Sequence, residues 1–216
     1  MPQITKISPQ KRKDRYNIFL DEKFAFGVSL TTLVSQSLKV GNKLDDEQIK
    51  KILKGEDFAK LFDSSLKILT LRPRSEKEIK DYLAQKIARS QNIKFRDARE
   101  SLLIVQIVQK LRRLGFLNDL EFAKWWHSAR TRQAKGPRLI KTELLQKGID
   151  RETIENVLSS GTNPKTLAIK ALEKKIKAWQ KLPDDKSKQK IYTYLVARGF
   201  DWDTIKEAIA FYEKKG

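Results

Sequence analysis

Cysteine is absent from this chain of 216 residues, and histidine occurs once, as His127. The absence of cysteine excludes disulfide bonds, thiol nucleophiles and cysteine-based zinc sites, and it is typical of proteins kept in a reducing compartment. A single histidine leaves most catalytic triads and histidine-based metal sites without enough residues. We interpret His127 as a packing or surface residue, and we expect no enzyme activity, no catalytic residues, no metal and no cofactor.

Long apolar segments are also missing. No stretch approaches the roughly 20 apolar residues that cross a bilayer, and residues 1–6, MPQITK, lack the apolar segment of a secretory signal. A G-x-x-x-x-G-K-[ST] sequence is absent too, so a P-loop nucleotide site is excluded. The acidic pairs Asp45-Asp46 and Asp184-Asp185 lie where helices are predicted to begin, and capping explains them better than a metal site does. We expect a cytoplasmic protein.

Positive charge, by contrast, is abundant. The formal net charge is +19, with +4 in residues 1–62, +9 in residues 63–135 and +6 in residues 136–216. Because the excess is distributed along the whole chain, it is not the property of a disordered basic tail. A field of this sign favours a polyanionic partner, either nucleic acid or an acidic protein surface, although a solvated lysine-rich surface is the simpler alternative.

The first 44 residues are predicted to form a small β module. Two apolar and aromatic stretches, residues 16–20 and 24–28, flank Asp21-Glu22-Lys23 in the pattern of a hairpin. Residues 4–7 are a candidate third strand, and Ser29 is a candidate N-cap of a short helix. A module of this size buries little surface, so we expect it to pack on the helices that follow.

The rest of the chain is predicted to be helical. A helix capped by Asp45 or Asp46 is expected to be interrupted at Gly55, and another is expected to start at Asp57. Ser75 and Glu78 form the S-x-x-E pattern of a capping box. The later helices are predicted at 75–88, 96–114, 119–133, 137–147, 150–159, 164–181, 186–198 and 201–213, with a turn at Pro183-Asp184-Asp185. Further boundary residues are Gly115 and Gly148 as C-terminal caps, Asn118 or Asp119 and Asp150 as N-caps, and Gly136-Pro137 between two helices.

One spacing recurs three times in the helical region. An isoleucine, a leucine four residues later and a basic residue three residues after that occur as Ile79/Leu83/Lys86, Ile140/Leu144/Lys147 and Ile191/Leu195/Arg198. Each set follows a small helix-start residue and precedes another amphipathic helix. We therefore predict a mainly α fold, an elongated array of three tandem three-helix repeats with a small N-terminal β-hairpin module. The expected boundaries are 1–44 for the module and 45–115, 116–160 and 161–216 for the repeats.

Basic and aromatic residues concentrate between residues 110 and 151. Trp125 and Trp126 point about 100° apart on a helix, so one is expected in the core and the other is a candidate interface anchor. Helix-end electrostatics explains part of the neighbouring positive charge. The predicted partner-binding residues are Arg112, Arg113, Trp125, Arg130, Arg132, Lys135, Arg138, Lys141, Lys147 and Arg151.

Three-helix units also occur in helix-turn-helix DNA-binding proteins. The third helices here begin with Asp150-Arg151-Glu152 and Asp201-Trp202-Asp203, whereas a recognition helix presents cations or amides to DNA. Base-specific DNA recognition is therefore disfavoured. Contact with the phosphate backbone of single- or double-stranded DNA is left open.

The order of these motifs resembles the RecX family of bacterial recombinase regulators. The resemblance covers roughly residues 57–213 and is strongest over 71–158. It is carried by Arg72-Pro73-Arg74-Ser75, Gly115-Phe116-Leu117-Asn118-Asp119, Phe122-Ala123, Lys135-Gly136-Pro137 and Leu144-x-x-Lys147-Gly148-Ile149. Residues 24–29 resemble the extension of longer members, and the third unit matches more loosely.

The resemblance implies a cytoplasmic, non-enzymatic protein that modulates the RecA recombinase in DNA repair, recombination and the SOS response. Members of the family are tandem three-helix repeat proteins that bind RecA and its nucleoprotein filament in the filament groove and inhibit strand exchange and ATP turnover. We expect the protein to act as a monomer. The main alternative is a non-specific DNA-binding protein that contacts phosphates without recombinase specificity, and a metal-dependent nuclease has the least support.

Overall fold

The structure, a computed structural model, describes residues 1–11, 14–161, 163–173, 175–179 and 183–213. The strands are β1 Ile4–Pro9, β2 Arg15–Leu20 and β3 Lys23–Ser29. The helices are α1 Leu30–Ser35, α2 Asp46–Leu69, α3 Glu76–Gln91, α4 Phe95–Arg99, α5 Leu102–Arg113, α6 Asp119–Arg132, α7 Pro137–Gln146, α8 Arg151–Ser159, α9 Pro164–Leu172, α10 Ile176–Trp179, α11 Asp184–Ala197 and α12 Trp202–Glu213.

The three strands form one antiparallel sheet in the order β1-β2-β3. Asp21 and Glu22 join β2 to β3 with positive φ angles of 47° and 66°, the backbone that two-residue hairpin turns favour. Ile4, Ile18 and Val28 are fully buried. The predicted hairpin is confirmed, and the candidate third strand belongs to the same sheet.

A buried carboxylate connects the sheet to α2. Glu56 is 1% exposed, and its Oε1 accepts hydrogen bonds from the backbone N–H and the hydroxyl of Ser29 at 2.8 and 2.9 Å. Its Oε2 lies 3.4 Å from the guanidinium of Arg15 on β2. Burial raises the pKa of Glu56, but hydrogen bonds from Thr32 and Ser29 and the charge of Arg15 outweigh burial and lower the pKa overall. Since Ser29 also caps α1 as predicted, this one carboxylate orients β2, α1 and α2 together.

The helix α2 continues through Gly55, so the predicted interruption there is wrong. A glycine inside a helix costs about 1 kcal/mol relative to alanine. The apolar packing of the two halves of α2 stabilises the continuous helix by more than this cost. Ile49 and Ile52 in its first half pack against the sheet, whereas Phe58 and Leu61 in its second half pack against α3 and α5. Tertiary packing therefore overrides the local preference for a break.

The second half of α2 forms the first bundle with α3, α4 and α5. The single helix predicted over 96–114 is wrong, because Ser101, with ψ of 125°, separates α4 from α5. Ala98 and Ile104 are both buried in the same core. In an uninterrupted helix these two residues would point about 120° apart, so the break allows both to face inward.

The second bundle contains α6, α7 and α8, and the third contains α9 to α12. Ile140 and Leu144 in the second bundle, and Ile191 and Leu195 in the third, are no more than 4% exposed. Their equivalents Ile79 and Leu83 are fully buried in the first bundle. The predicted repeat and its mainly α fold are therefore confirmed.

Helix boundaries differ from the prediction in the third bundle. The helix predicted over 164–181 is divided into α9 and α10, and residues 174, 180 and 181 of that prediction lie outside the described part of the chain. The helix α11 already begins at Asp184, so the predicted turn there is wrong. Elsewhere Asn118 and Asp150 cap their helices as predicted.

Candidate partner-binding surface

The first and second bundles meet at a cluster of charged side chains, which we call the first junction. Glu78, at the start of α3, accepts hydrogen bonds from Arg72 at 2.9 Å and from Lys147, at the end of α7, at 2.6 Å. Burial raises the pKa of Glu78, but the hydrogen bonds and charges of Arg72 and Lys147 lower it to about 2. Glu78 is therefore ionised at neutral pH and links the two bundles.

Trp125 and Trp126 lie beside this cluster on α6. The indole N–H of Trp126 donates to Glu143 on α7 at 2.8 Å, and Arg130 donates to the same carboxylate oxygen at 2.6 Å. The guanidinium of Arg130 lies 4.3 Å from the ring centroid of Trp126, and that of Arg72 lies 5.8 Å from Trp125. Both tryptophans are half-buried and pack against the second core, so the expected difference in burial between the two rings is not observed.

Two further polar contacts belong to the first junction. Asp119 accepts a hydrogen bond from the backbone N–H of Glu76 at 2.8 Å, and Lys77 donates to the carbonyl of Gln146 at 2.7 Å. Gly148, with a φ of 81°, lies so close to α3 that a Cβ added there would be 2.9 Å from the Cβ of Lys77. Within the described ranges, no backbone-to-backbone hydrogen bond crosses the first junction.

The second and third bundles meet at a different kind of contact, the second junction. The backbone N–H groups of Gly136 and Arg138, at the start of α7, donate to the carbonyls of Arg198 and Gly199, at the end of α11, at 2.7 and 3.0 Å. The guanidinium of Arg198 also donates to two backbone carbonyls just after α6. A Cβ at Gly136 would collide with the carbonyl of Gly199. Direct backbone contact therefore holds this junction together.

The ten predicted partner-binding residues divide into three groups. Trp125 and Lys147 contact the first bundle, and Arg130 pairs with Glu143 inside the second bundle. Arg112 and Lys141 form ion pairs with Glu76 and Glu155. The five that make no ion pair within the described part of the chain are Arg113, Arg132, Lys135, Arg138 and Arg151.

These five members of the predicted set lie mostly on the surface. Arg113, Arg132, Arg138 and Arg151 are exposed, and Lys135 is half-buried. The charge of Arg138 contributes to the lowered pKa of Asp201, behind the hydrogen bonds that Asp201 accepts from Thr204. These side chains are the part of the predicted set that remains available to an anionic partner.

His127 is half-buried against the loop that follows α8. A Cβ at Gly161 would lie 2.8 Å from the imidazole ring, and the hydroxyl of Thr131 lies 3.5 Å from Nε2. Burial lowers the pKa of His127. Among the residues that the structure describes, no group of three or more His, Asp or Glu side chains is placed to hold a metal ion.

Sequence reasoning misses the contacts of two acidic residues, Glu78 at the first junction and Glu143 within the second bundle. The capping-box pattern assigns Glu78 to the start of α3, but it does not reveal the contact with Lys147, 69 positions away. Glu143 has no sequence signal for its contact with Trp126. One indirect signal is present, because Lys147 and Arg198 occupy equivalent repeat positions and both contact the preceding bundle.

Family models match most of the chain. The regulatory protein RecX N-terminal domain matches residues 2–45, and the first, second and third RecX three-helix domains match residues 62–88, 118–158 and 166–209. Regulatory protein RecX of Bacillus velezensis (strain DSM 23117 / BGSC 10A6 / LMG 26770 / FZB42) is 38% identical over 213 residues, which is 97% of this chain and 77% of that protein. The chain belongs to the RecX family.

Two other RecX proteins are similar to this chain over almost its whole length. Regulatory protein RecX of Bacillus subtilis (strain 168) is 38% identical over 97% of this chain and 76% of its own length. That of Listeria monocytogenes serotype 4a (strain HCC23) is 34% identical over 95% of this chain and 74% of its own length. These relatives are named as regulatory proteins.

Solved RecX structures have the same fold. A crystal structure of regulatory protein RecX matches with a TM-score of 0.67 and 29% identity, covering 95% of this chain and 98% of that one. The crystal structure of RecX from Lactobacillus salivarius matches with a TM-score of 0.60 and 26% identity, covering 74% of this chain and 98% of that one. No helix in the described part of this RecX chain combines the length and the apolar character needed to span a membrane.

Proposed function

We propose that this RecX chain binds the RecA recombinase and its nucleoprotein filament, lies in the filament groove and inhibits recombinase and ATPase activity. The observation that carries this proposal is the set of exposed cations Arg113, Arg132, Arg138 and Arg151, which form no ion pair with any residue that the structure describes. A net charge of +19 adds a long-range attraction to any polyanion. The regulatory role named for the relatives agrees with it.

The proposed mechanism needs no covalent chemistry. The three bundles are joined at two junctions, so their cations are held at fixed spacings instead of on independent tails. Such a surface can contact several protomers of a filament together with the phosphates of the enclosed DNA. Simultaneous contacts of this kind would oppose the motions between protomers that strand exchange and ATP turnover require.

Several further features belong to the same proposal. The protein would act in the cytoplasm as a non-enzymatic monomer, with contacts to the single- or double-stranded DNA backbone that are secondary to those with RecA. Its parts would be the N-terminal module of residues 1–44 and repeats of residues 45–115, 116–160 and 161–216. The five predicted contact residues that form no ion pair with any described residue lie between residues 113 and 151, so the proposal places the main contact on the second repeat and its borders.

The test is the DNA-dependent ATPase of RecA with a charge-reversed variant. We expect the parent chain to slow this activity near equimolar ratios, and Arg113→Glu/Arg132→Glu/Arg138→Glu to weaken that inhibition by about tenfold, because each reversal replaces an attraction with a repulsion. Arg130 is left unchanged because its contact with Glu143 makes it part of the fold.

The control variant has the same change in net charge at exposed lysines elsewhere, Lys23→Glu/Lys39→Glu/Lys67→Glu. It should inhibit within about twofold of the parent, because its reversals lie outside the proposed contact. An equal loss of inhibition in both triple variants would show that inhibition depends only on the total charge of the chain. No inhibition by the parent chain, even in large excess, would exclude the proposed function.

Non-specific DNA binding is the second candidate, supported by the same exposed arginines. It predicts tight binding to bare duplex DNA with a steep dependence on salt, and no preference for RecA-coated DNA. Fluorescence anisotropy with bare and RecA-coated DNA at matched salt separates the two candidates. A clear preference for the coated DNA favours the first, and equal or weaker binding to it favours the second.

A further inference from the structure

A groove on the first bundle has no role in the surface described above. It lies between the middle of α2 and the start of α5 and encloses about 640 Å³. Phe58 and Leu103, which also pack against the first core, form its floor. The remaining lining residues are Lys54, Gly55, Asp57, Gln91, Ser101, Leu102 and Gln106.

The first unexplained feature of this groove is Gly55. It is inside a helix of 24 residues, where alanine would be more stable by about 1 kcal/mol. Its φ is not positive, and a Cβ added there would meet nothing within 4 Å. Neither backbone conformation nor packing within the chain therefore requires a glycine. A glycine at the edge of an open groove does allow the backbone of another molecule to approach closely.

The second feature is Leu102, the first residue of α5. Its side chain is 77% exposed, and Val105, one turn further along the same helix, is 45% exposed. Leaving a leucine in water forgoes roughly 1.5–3 kcal/mol of burial. An exposed leucine and an unnecessary glycine thus line the same cavity, and each would be accounted for by a partner that fills it.

The charges around the groove indicate the chemistry of that partner. Lys54 lines the groove and Lys51 lies one turn before it on α2; both are exposed and neither forms an ion pair with any described residue. The one acidic residue of the lining, Asp57, lies 3.9 Å from Lys60. An apolar floor beside unpaired lysines is complementary to an amphipathic helix with acidic residues along its border.

We infer that the α2–α5 groove binds an amphipathic helix of a partner protein, with its apolar face on Phe58 and Leu102 and its acidic border beside Lys54. Gly55 lets this helix lie close against α2, as small residues do at close helix–helix contacts. The inference rests on the proposed function in taking that helix to belong to RecA. It adds a contact that does not involve DNA.

The experiment measures binding of DNA-free RecA to the full chain by fluorescence anisotropy. Gly55→Leu adds an apolar side chain at the edge of the groove, where an added Cβ meets nothing within 4 Å, and Leu102→Asp places a charge in the groove. Each should raise the Kd for RecA by about tenfold, which corresponds to about 1.4 kcal/mol. Val196→Asp on α11, where Val196 is 47% exposed, is the matched control and should change the Kd less than about twofold.

A photo-crosslinking amino acid at Gln106 identifies what occupies the groove. Crosslinks to a helical RecA segment with acidic residues at its border support the inference. Crosslinks to a second copy of this chain, or to DNA when DNA is added, overturn it. If the parent chain binds RecA and both groove variants bind equally well, the groove inference is wrong while the proposed function stands. If the parent chain binds neither RecA nor its filament, the proposed function itself fails.

Discussion

At the level of single residues, Glu78 does more than complete the capping box at the start of α3. Its carboxylate accepts from Arg72 and from Lys147, and so it holds residues from two bundles. Because its pKa is about 2 instead of the usual 4.5, the ionised carboxylate stabilises the folded chain above about pH 4.5. That stabilisation is lost progressively as the pH falls from about 4.5 towards 2.

We expect Glu78→Gln to lower the free energy of unfolding by roughly 2 kcal/mol at neutral pH, because Arg72 and Lys147 then lose their shared counter-charge. The difference between parent and variant should shrink as the pH is lowered towards about 3. Urea unfolding at a series of pH values measures both effects. Glu121→Gln, which removes only an exposed pair with Lys124, should cost less than about 0.5 kcal/mol. A difference for Glu78→Gln that did not vary with pH would contradict the assigned ionic role.

Local sequence signals at this scale predicted the caps well and the distant contacts poorly. Ser29, Ser75, Asn118 and Asp150 each cap a helix as their types and positions suggest. A cap depends on amides two or three residues away, so it is visible in a short window of sequence. Charge and position in the sequence predict the candidate partner-binding residues other than Trp125, and these two criteria cannot separate the cations neutralised by distant carboxylates from those left exposed.

At the scale of helices, the errors in prediction have a common physical origin. Gly55 does not break α2, because α2 packs against the sheet on one half and against the first bundle on the other. In contrast, α4 and α5 are separate although no glycine or proline lies between them. Local propensities amount to about 1 kcal/mol or less per residue, whereas burial of one large apolar side chain contributes roughly 1.5–3 kcal/mol. Core packing therefore decided both cases.

The start of α7 and the end of α11 approach each other closely at Gly136 and Gly199. Gly136→Ala should destabilise the chain by about 1–3 kcal/mol, because its Cβ would displace the carbonyl of Gly199. Hydrogen exchange of the Arg138 amide, which donates across this contact, should become faster. Thermal unfolding and hydrogen exchange measured by mass spectrometry provide the two readouts.

Gly55→Ala is the matched control for this substitution, since a Cβ there meets nothing within 4 Å. It should leave the exchange of Arg138 unchanged and increase stability by up to about 1 kcal/mol. If Gly136→Ala were as stable as the parent chain, the second junction would not depend on close backbone approach.

At the scale of the whole molecule, the two junctions differ in what maintains them. The first depends on the ion pair between Lys147 and Glu78 and on Arg72, which packs over the ring of Trp125. The second depends on backbone hydrogen bonds. Salt screens interactions between charges but has little effect on hydrogen bonds between backbone groups, so the junctions should respond differently to ionic strength. The repeated Ile-x-x-x-Leu spacing predicted that bundles exist and follow one another, but it carried no information on how adjacent bundles are joined.

We therefore expect salt to loosen the first junction selectively. Since the chain has no cysteine, cysteines introduced at the exposed positions Gln85, Glu152 and Ala210 allow specific pairs of fluorescent labels. Raising the salt from about 0.1 M to about 1 M shortens the Debye length from about 10 Å to about 3 Å. The distance distribution between labels at 85 and 152 should broaden, while that between 152 and 210 should not. Equal broadening of both pairs would show that the junctions are alike.

The continuous helix α2 has a mechanical consequence. Its 24 residues span about 36 Å, and its two halves pack in different cores, with Ile52 in the first half and Phe58 in the second. Because no flexible linker separates the two halves, α2 couples the sheet to the first bundle. A rotation of the N-terminal sheet is therefore expected to rotate the first bundle with it. A protein that binds the sheet would therefore also set the orientation of the first bundle.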